Sequence, residues 1–139
     1  MNSELKREII LDNYNNPFHK ETKSSPFLTE NANNNSCIDN INIFVKLDHD
    51  KIVDAYFDGE ACAISTASTS VMIKNIIGMN IKEAKEYIHN FENMINEKEY
   101  NKDNFKEALA FDEIYKQESR KTCATLSYRA LDKLLDSHK

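Results

Sequence analysis

The sequence predicts an α+β fold, with a small antiparallel sheet of about three strands packed against four to six helices. Residues 41–47 alternate between apolar and polar side chains, and residues 51–58 have the composition of a return strand. Residues 62–77 and 80–95 carry apolar side chains at helical spacing. Because the strands come together and the helices follow them, a parallel βαβ arrangement is disfavoured. A chain of 139 residues is expected to form a single domain, residues 1–139.

The first half of the chain predicts one helix and three strands. A helix is expected from Ser3 to about Tyr14, because Pro17 disfavours its continuation. Residues 26–29 are expected to form a short edge strand, and the asparagine-rich residues 31–36 a polar turn. The two strands at 41–47 and 51–58 then form a hairpin. Cys37 precedes this hairpin and Cys62 follows it, so we expect the two cysteines to lie near the same end of it.

The second half is predicted to be helical. The helix over residues 62–77 should stop at Gly78, a favourable residue just past a helix end. Asn80 and Glu83 have the spacing of a capping box and should open the next helix. A weaker helix is expected over residues 105–115, and the last helix is expected to begin near Cys123.

Composition excludes several classes of function. The net charge is −5 and no basic run is present, so nucleic acid is not expected as a partner. The chain has only two glycines, too few for a glycine-rich phosphate loop. No apolar stretch approaches the ~20 residues of a membrane span, so a membrane partner is not expected. Residues 1–12 are charged throughout, so we expect no signal peptide and a cytoplasmic location.

The three cysteines are the candidate chemical groups of this chain. Cys62 and Cys123 are both predicted at helix starts, where free N–H groups and the helix dipole favour a thiolate. Asp39 follows Cys37 by two residues, a spacing that places both side chains on one side of an extended backbone. Three thiolates and a carboxylate suit zinc, or iron with sulfide. The alternative is three unrelated cysteines, since no CxxC pair brings the ligands together locally.

Four segments resemble the motifs of U-type iron–sulfur cluster assembly proteins, the IscU/SufU/NifU N-terminal family. Their residues are 12–17 (Asp-Asn-Tyr-Asn-Asn-Pro), 34–39 (Asn-Asn-Ser-Cys-Ile-Asp), 57–65 (Phe-Asp-Gly-Glu-Ala-Cys-Ala-Ile-Ser) and 120–127 (Arg-Lys-Thr-Cys-Ala-Thr-Leu-Ser). The SufU-like branch is favoured because Thr122, rather than histidine, precedes Cys123 and because the chain between Cys62 and Cys123 is long. Ile38 departs from the family, which has glycine at that position.

The resemblance implies a ligand set and a chemical role. Zinc would be held by Cys37, Asp39, Cys62 and Cys123, with Arg120 near the site. The implied function is iron–sulfur cluster biogenesis, in which Cys37 accepts persulfide sulfur from a SufS-like cysteine desulfurase and passes it to downstream assembly proteins. The corresponding activity would be that of a zinc-dependent sulfurtransferase.

Two other functions stay open at this point. The same four residues could hold a transient [2Fe–2S] cluster, which would make the chain a scaffold. Alternatively, the zinc could be purely structural, in a module that only docks partners. A metal-dependent hydrolase is less favoured, because no histidine and glutamate have the spacing of a metal ligand and a neighbouring base.

Overall fold

The computed structural model describes residues 1–34 and 38–138 and confirms the predicted α+β fold. Three antiparallel strands form one sheet in the order β1-β2-β3. No helix among the described residues is long and apolar enough to cross a membrane. The elements are α1 (Ser3–Asn15), β1 (Leu28–Asn33), β2 (Asn40–Asp48), β3 (Lys51–Glu60), α2 (Ala63–Ile76), α3 (Ile81–Ile95) and α4 (Glu118–Asp136), with two 3₁₀ helices at Lys106–Phe111 and Ile114–Lys116.

The predicted hairpin is present and determines where the site forms. β2 and β3 pair from Asp48↔Lys51 at the turn to Asn40↔Glu60 at the open end. Paired residues lie within a few ångströms of each other across the two strands. The residues just before Asn40 and just after Glu60 therefore leave the sheet side by side.

The prediction for β1 was wrong in its boundaries. The strand runs over Leu28–Asn33, so three of the residues assigned to a polar turn are paired with β2. The amide of Asn31 donates to the side-chain oxygens of Asn40 and Asn42, at 2.8 and 2.9 Å, and Ala32 is buried. These cross-strand contacts outweigh the preference of asparagine for turns.

Helix α2 is the central helix of the fold. It packs against α1, α4 and β3, and nearly every residue from Ser65 to Ile76 is buried. Small hydroxyl side chains form its contact with α4: Ser68 Oγ donates to the Ala124 carbonyl at 2.6 Å, and Thr69 Oγ1 lies 2.5 Å from Ser127 Oγ. Small residues allow the two helices to approach closely, and the hydrogen bonds satisfy the buried hydroxyls.

Helix α3 begins as the sequence predicts. The Asn80 side chain accepts the Glu83 backbone N–H at 2.8 Å, and the Glu83 carboxylate accepts the Asn80 N–H at 3.0 Å. This capping box satisfies two N–H groups that the helix itself leaves unpaired, and such an N-cap contributes about 1 kcal/mol.

The helix predicted over residues 105–115 is replaced by the two 3₁₀ helices. Phe105, Ala108, Phe111 and Ile114 are all buried and are spaced every third residue. A 3₁₀ helix has three residues per turn, so within Lys106–Phe111 this spacing places Ala108 and Phe111 on one face. An α-helix would rotate them progressively away from the core.

Two hydrogen-bonded tyrosines form part of the core between α3 and α4. The hydroxyl groups of Tyr87 and Tyr128 are 2.7 Å apart, and Tyr128 stacks on Phe91 with ring centroids 3.9 Å apart. The Asn75 amide donates to the Tyr87 hydroxyl at 3.0 Å. Burial raises the pKa of Tyr87 to about 12 and raises that of Tyr128 well above its usual value.

We expect these two tyrosines to stay protonated in the folded protein and to contribute to alkaline unfolding. A raised folded-state pKa stabilises the fold below pH 10, and this contribution is lost as the pH rises through about 12. Ultraviolet phenolate absorbance during an alkaline titration measures the effect. In Tyr128→Phe, the folded protein should show an unchanged phenolate signal near pH 11, whereas the denatured protein should lose the signal of one tyrosine. A lowered signal in the folded variant would contradict the assignment.

Candidate metal centre

The site forms where three separate elements meet. Asp39 immediately precedes β2, Cys62 lies between β3 and α2, and Cys123 lies in α4. The open end of the hairpin places Asp39 beside Cys62. Helix α4 packs against α2 and the sheet and brings Cys123 to the same point. The predicted convergence of Asp39, Cys62 and Cys123 is therefore present, although these residues are far apart in the sequence.

The geometry of the three side chains fits a tetrahedral metal ion. One ligand atom from each of Asp39, Cys62 and Cys123 lies within 4.8 Å of the other two. Cys62 Sγ is 3.9 Å from Asp39 Oδ2. Zinc bonds to sulfur and oxygen at 2.0–2.3 Å would place tetrahedral ligand atoms roughly 3.3–3.8 Å apart. The donor set of two sulfurs and a carboxylate suits zinc.

Asp39 is held by hydrogen bonds at both carboxylate oxygens. The backbone N–H of Cys62 donates to Oδ1 at 2.7 Å, and the Ser65 hydroxyl donates to Oδ2, also at 2.7 Å. The residue is 2% exposed. A carboxylate oxygen has more than one lone pair, so accepting a hydrogen bond does not by itself prevent it from binding a cation. The side chain is thus fixed in orientation without losing its capacity as a ligand.

Cys62 occupies the N-cap of α2, as the sequence predicts. Its sulfur accepts the backbone N–H of Ser65 at a distance of 3.5 Å. At this position the sulfur lies beside the N–H groups of the first helical turn and is 3.9 Å from Asp39 Oδ2. Cys62 is thus placed where one cation could contact both side chains.

The position predicted for Cys123 was wrong. Helix α4 begins at Glu118, so Cys123 is its sixth residue and lies beyond the first turn. The first turn is exposed and carries the Glu118–Lys121 ion pair, so it has no apolar side chain that marks it as helical in the sequence. Burial, followed by the proximity of Cys62, raises the pKa of the Cys123 thiol to about 12. A cation that binds Cys123 must displace its proton.

Ser65 is a component of the site that the sequence analysis did not single out. It is 1% exposed, and besides Asp39 its hydroxyl contacts the backbone carbonyl of Cys123 at 3.1 Å. The sequence did contain one indication of this role. Ser65 lies in the first turn of a predicted helix, three residues after Cys62, and a side chain at that position lies near the N-cap residue.

The predicted roles of two residues, Cys37 and Arg120, stay predictions. Cys37 lies outside the residues that the structure describes. Arg120 is exposed in the first turn of α4, three residues before Cys123. The structure does not test its proposed role near the site. Ile38, which replaces the glycine of the family motif, is 71% exposed.

Comparison with proteins of known sequence supports the same family along the length of the chain. Residues 5–131 match the model of the NifU-like N-terminal domain. The chain is 38% identical to the zinc-dependent sulfurtransferase SufU of Bacillus subtilis over 93% of its own length and 88% of that protein. It is 29% identical to the iron–sulfur cluster assembly scaffold protein IscU of Thermotoga maritima, over 92% of this chain and 90% of that protein.

Solved structures agree with this relationship. A crystal structure from Fervidobacterium islandicum AW-1, provisionally described as an iron–sulfur cluster assembly scaffold for the SUF system, superimposes with a TM-score of 0.88 and 34% identity. The match covers 92% of this chain and 94% of that one. A NifU-like N-terminal protein from Brucella abortus shares the fold, with a TM-score of 0.84 and 19% identity over 93% of this chain and 90% of that one. The chain therefore belongs to the NifU-like N-terminal domain family of iron–sulfur cluster assembly proteins, with SufU among its relatives.

Proposed function

We propose that this chain is a zinc-dependent sulfurtransferase of iron–sulfur cluster biogenesis. It accepts sulfur from the persulfide of a SufS-like cysteine desulfurase through Cys37 and delivers it to downstream assembly proteins in the cytoplasm. The observation that carries the proposal is the convergence of Asp39, Cys62 and Cys123 within 4.8 Å. The 38% identity to a relative named as a zinc-dependent sulfurtransferase favours this role.

The proposed transfer is a thiol–persulfide exchange. The Cys37 thiolate attacks the terminal sulfur of the desulfurase persulfide, a new sulfur–sulfur bond forms on Cys37, and the desulfurase cysteine leaves as a thiolate. The terminal sulfur carries its proton with it, and no external oxidant or reductant is needed. A zinc ion at the site would supply the positive charge that keeps a cysteine deprotonated at neutral pH.

The four residues of the proposed site have two different roles, metal ligand and nucleophile. Asp39, Cys62 and Cys123 would hold the cation, together with Cys37. Asp39 and Cys62 are fixed to each other by the hydrogen bond from the Cys62 N–H, and Cys123 is part of a long helix that is buried on one face. These three serve as the stationary ligands, and Cys37 serves as the nucleophile.

The test of the proposal is the variant Cys37→Ala. We expect this variant to accept no sulfur from a desulfurase charged with cysteine. Mass spectrometry of the intact protein measures the gain of one sulfur atom in the unaltered chain and its absence in the variant. Circular dichroism of the same sample verifies the fold. Full sulfur uptake by the variant would overturn the assignment of Cys37.

The second candidate function is that of a cluster scaffold. It is favoured by the relative from Thermotoga maritima, which is named as an iron–sulfur cluster assembly scaffold protein. Anaerobic reconstitution with iron and sulfide separates the two functions. A stable coloured protein with the visible absorption of a [2Fe–2S] cluster supports the scaffold, whereas a colourless protein that retains zinc supports the sulfurtransferase.

A further inference from the structure

Ser65 contacts all three of the described candidate ligands. Its backbone N–H donates to Cys62 Sγ at 3.5 Å, and its hydroxyl lies 2.7 Å from Asp39 Oδ2 and 3.1 Å from the carbonyl of Cys123. The side chain is 1% exposed, so water does not compete for these contacts. One residue in the first turn of α2 therefore connects the residue just before β2, the N-cap of α2 and α4.

The hydroxyl has a single proton, and three polar atoms lie near it: Asp39 Oδ2 at 2.7 Å, the Cys123 carbonyl oxygen at 3.1 Å and Cys62 Sγ at 3.5 Å. The carboxylate is the closest of the three, and hydrogen bonds to a charged carboxylate are shorter and stronger than those to a neutral acceptor. The proton is therefore directed at Asp39 Oδ2. With Oδ1 already accepting the Cys62 N–H, the carboxylate is held at both ends and cannot rotate about its bond to Cβ without losing one of the two contacts.

We propose that Ser65 is a positioning residue of the metal centre, which orients the Asp39 carboxylate for a divalent cation through its hydroxyl. The inference rests on the proposed zinc-binding function and adds a residue outside the ligand set. Hydrogen bonds of this kind fix the direction of a ligand's lone pairs, and their removal typically lowers metal affinity by 10–100-fold. Ser65 itself is not a ligand in this arrangement.

Ser68 provides a matched control within the same helix. It is also 1% exposed, and its hydroxyl donates to the carbonyl of Ala124, the residue after Cys123, at 2.6 Å. It therefore joins α2 to α4 in the same way as Ser65, but its hydrogen bond is not made to Asp39. Any loss that arises merely from weakening the contact between these helices should appear in both variants.

The experiment measures zinc affinity by competition with a chromogenic chelator. We expect Ser65→Ala to bind zinc roughly 10–100-fold more weakly than the unaltered chain, and Ser68→Ala to differ from it by less than about threefold. The free energy of unfolding of each metal-free variant is measured in parallel. An equal loss of zinc affinity in the two alanine variants would overturn the role of Ser65.

A double variant tests whether Ser65 acts through Asp39. If it does, adding Ser65→Ala to Asp39→Ala should cause little further loss of zinc affinity, because the carboxylate that it orients is already absent. A full and additive loss would show that Ser65 acts in some other way and would contradict the inference. Failure of the unaltered chain to bind zinc would instead overturn the proposed function, and this inference with it.

A second pair of variants applies if Ser65→Ala does not fold. Threonine and valine have nearly the same shape and differ in one hydroxyl group, so Ser65→Thr and Ser65→Val disturb the packing equally. We expect the threonine variant to bind zinc at least about tenfold more tightly than the valine variant. Equal affinities would contradict the proposal.

Discussion

Gly59→Ala is expected to destabilise the protein strongly and to weaken the metal centre. Gly59 has φ +106°, and a Cβ atom placed on it would lie 2.1 Å from the carbonyl oxygen of Asn40 on the partner strand. The positive φ and the contact with the Asn40 carbonyl oxygen both involve backbone atoms. A change of side-chain rotamer therefore cannot relieve them. Backbone strain and overpacking together predict a loss of about 3 kcal/mol or more in the free energy of unfolding.

The effect should extend to zinc because of where the collision occurs. Asn40 is adjacent to Asp39, and Gly59 is three residues before Cys62. Separating β2 from β3 at this point would pull the carboxylate away from the helix that carries Cys62. Chemical denaturation and zinc competition measure the two consequences separately.

Gly78→Ala is the matched control for this substitution. Gly78 also has a positive φ, +98°, but a Cβ atom there would meet no atom within 4 Å. It should cost only the backbone strain, about 1–2 kcal/mol, and should leave zinc affinity unchanged. Equal losses of stability in the two variants would show that the contact with Asn40 is not the cause.

Substitution of Asp39 is the second change with a large expected effect. Asp39→Ala removes a proposed zinc ligand and takes from the Cys62 N–H and the Ser65 hydroxyl the acceptor that they share. We expect zinc affinity to fall by at least about a hundredfold. We expect the metal-free protein to lose about 1–3 kcal/mol of stability, chiefly because the Cys62 N–H loses its acceptor, whereas the Ser65 hydroxyl can still donate to the Cys123 carbonyl.

Asp39→Asn distinguishes the two roles of the carboxylate. The amide oxygen can still accept one of the two hydrogen bonds, but the neutral side chain is a poor ligand for zinc. This variant should therefore lose most of its zinc affinity while it keeps more of its metal-free stability than Asp39→Ala. Zinc affinity equal to that of the unaltered chain would show that Asp39 is not a ligand.

The sequence predicted those parts of the fold whose signals are local. The capping box of Asn80 and Glu83 and the period-two alternation of residues 41–47 depend only on near neighbours, and both are confirmed. The N-cap position of Cys62 follows from the same kind of signal. From the hairpin we expected Cys37 and Cys62 to lie near the same end of the sheet. Cys37 lies outside the described residues, but Asp39, two residues after it, is found beside Cys62.

The errors arose where distant contacts outweigh local preference. Asn31 is a turn former by composition, but Asn40 and Asn42 across the sheet satisfy its side chain within a strand. The exposed first turn of α4 has no apolar periodicity, so the helix seemed to begin at Cys123. The role inferred for Ser65 depends on Asp39 and Cys123, which are far from it in sequence and are brought together only by the fold.

The hydrogen bond from the Cys62 amide to Asp39 makes the position of the Asp39 carboxylate measurable by hydrogen exchange. That amide proton is covered only while the carboxylate stays in place, so its rate of exchange with deuterated solvent follows the position of a ligand rather than the stability of a helix. Nuclear magnetic resonance of the Cys62 amide could then follow any displacement of the Asp39 carboxylate, with no probe attached to the protein.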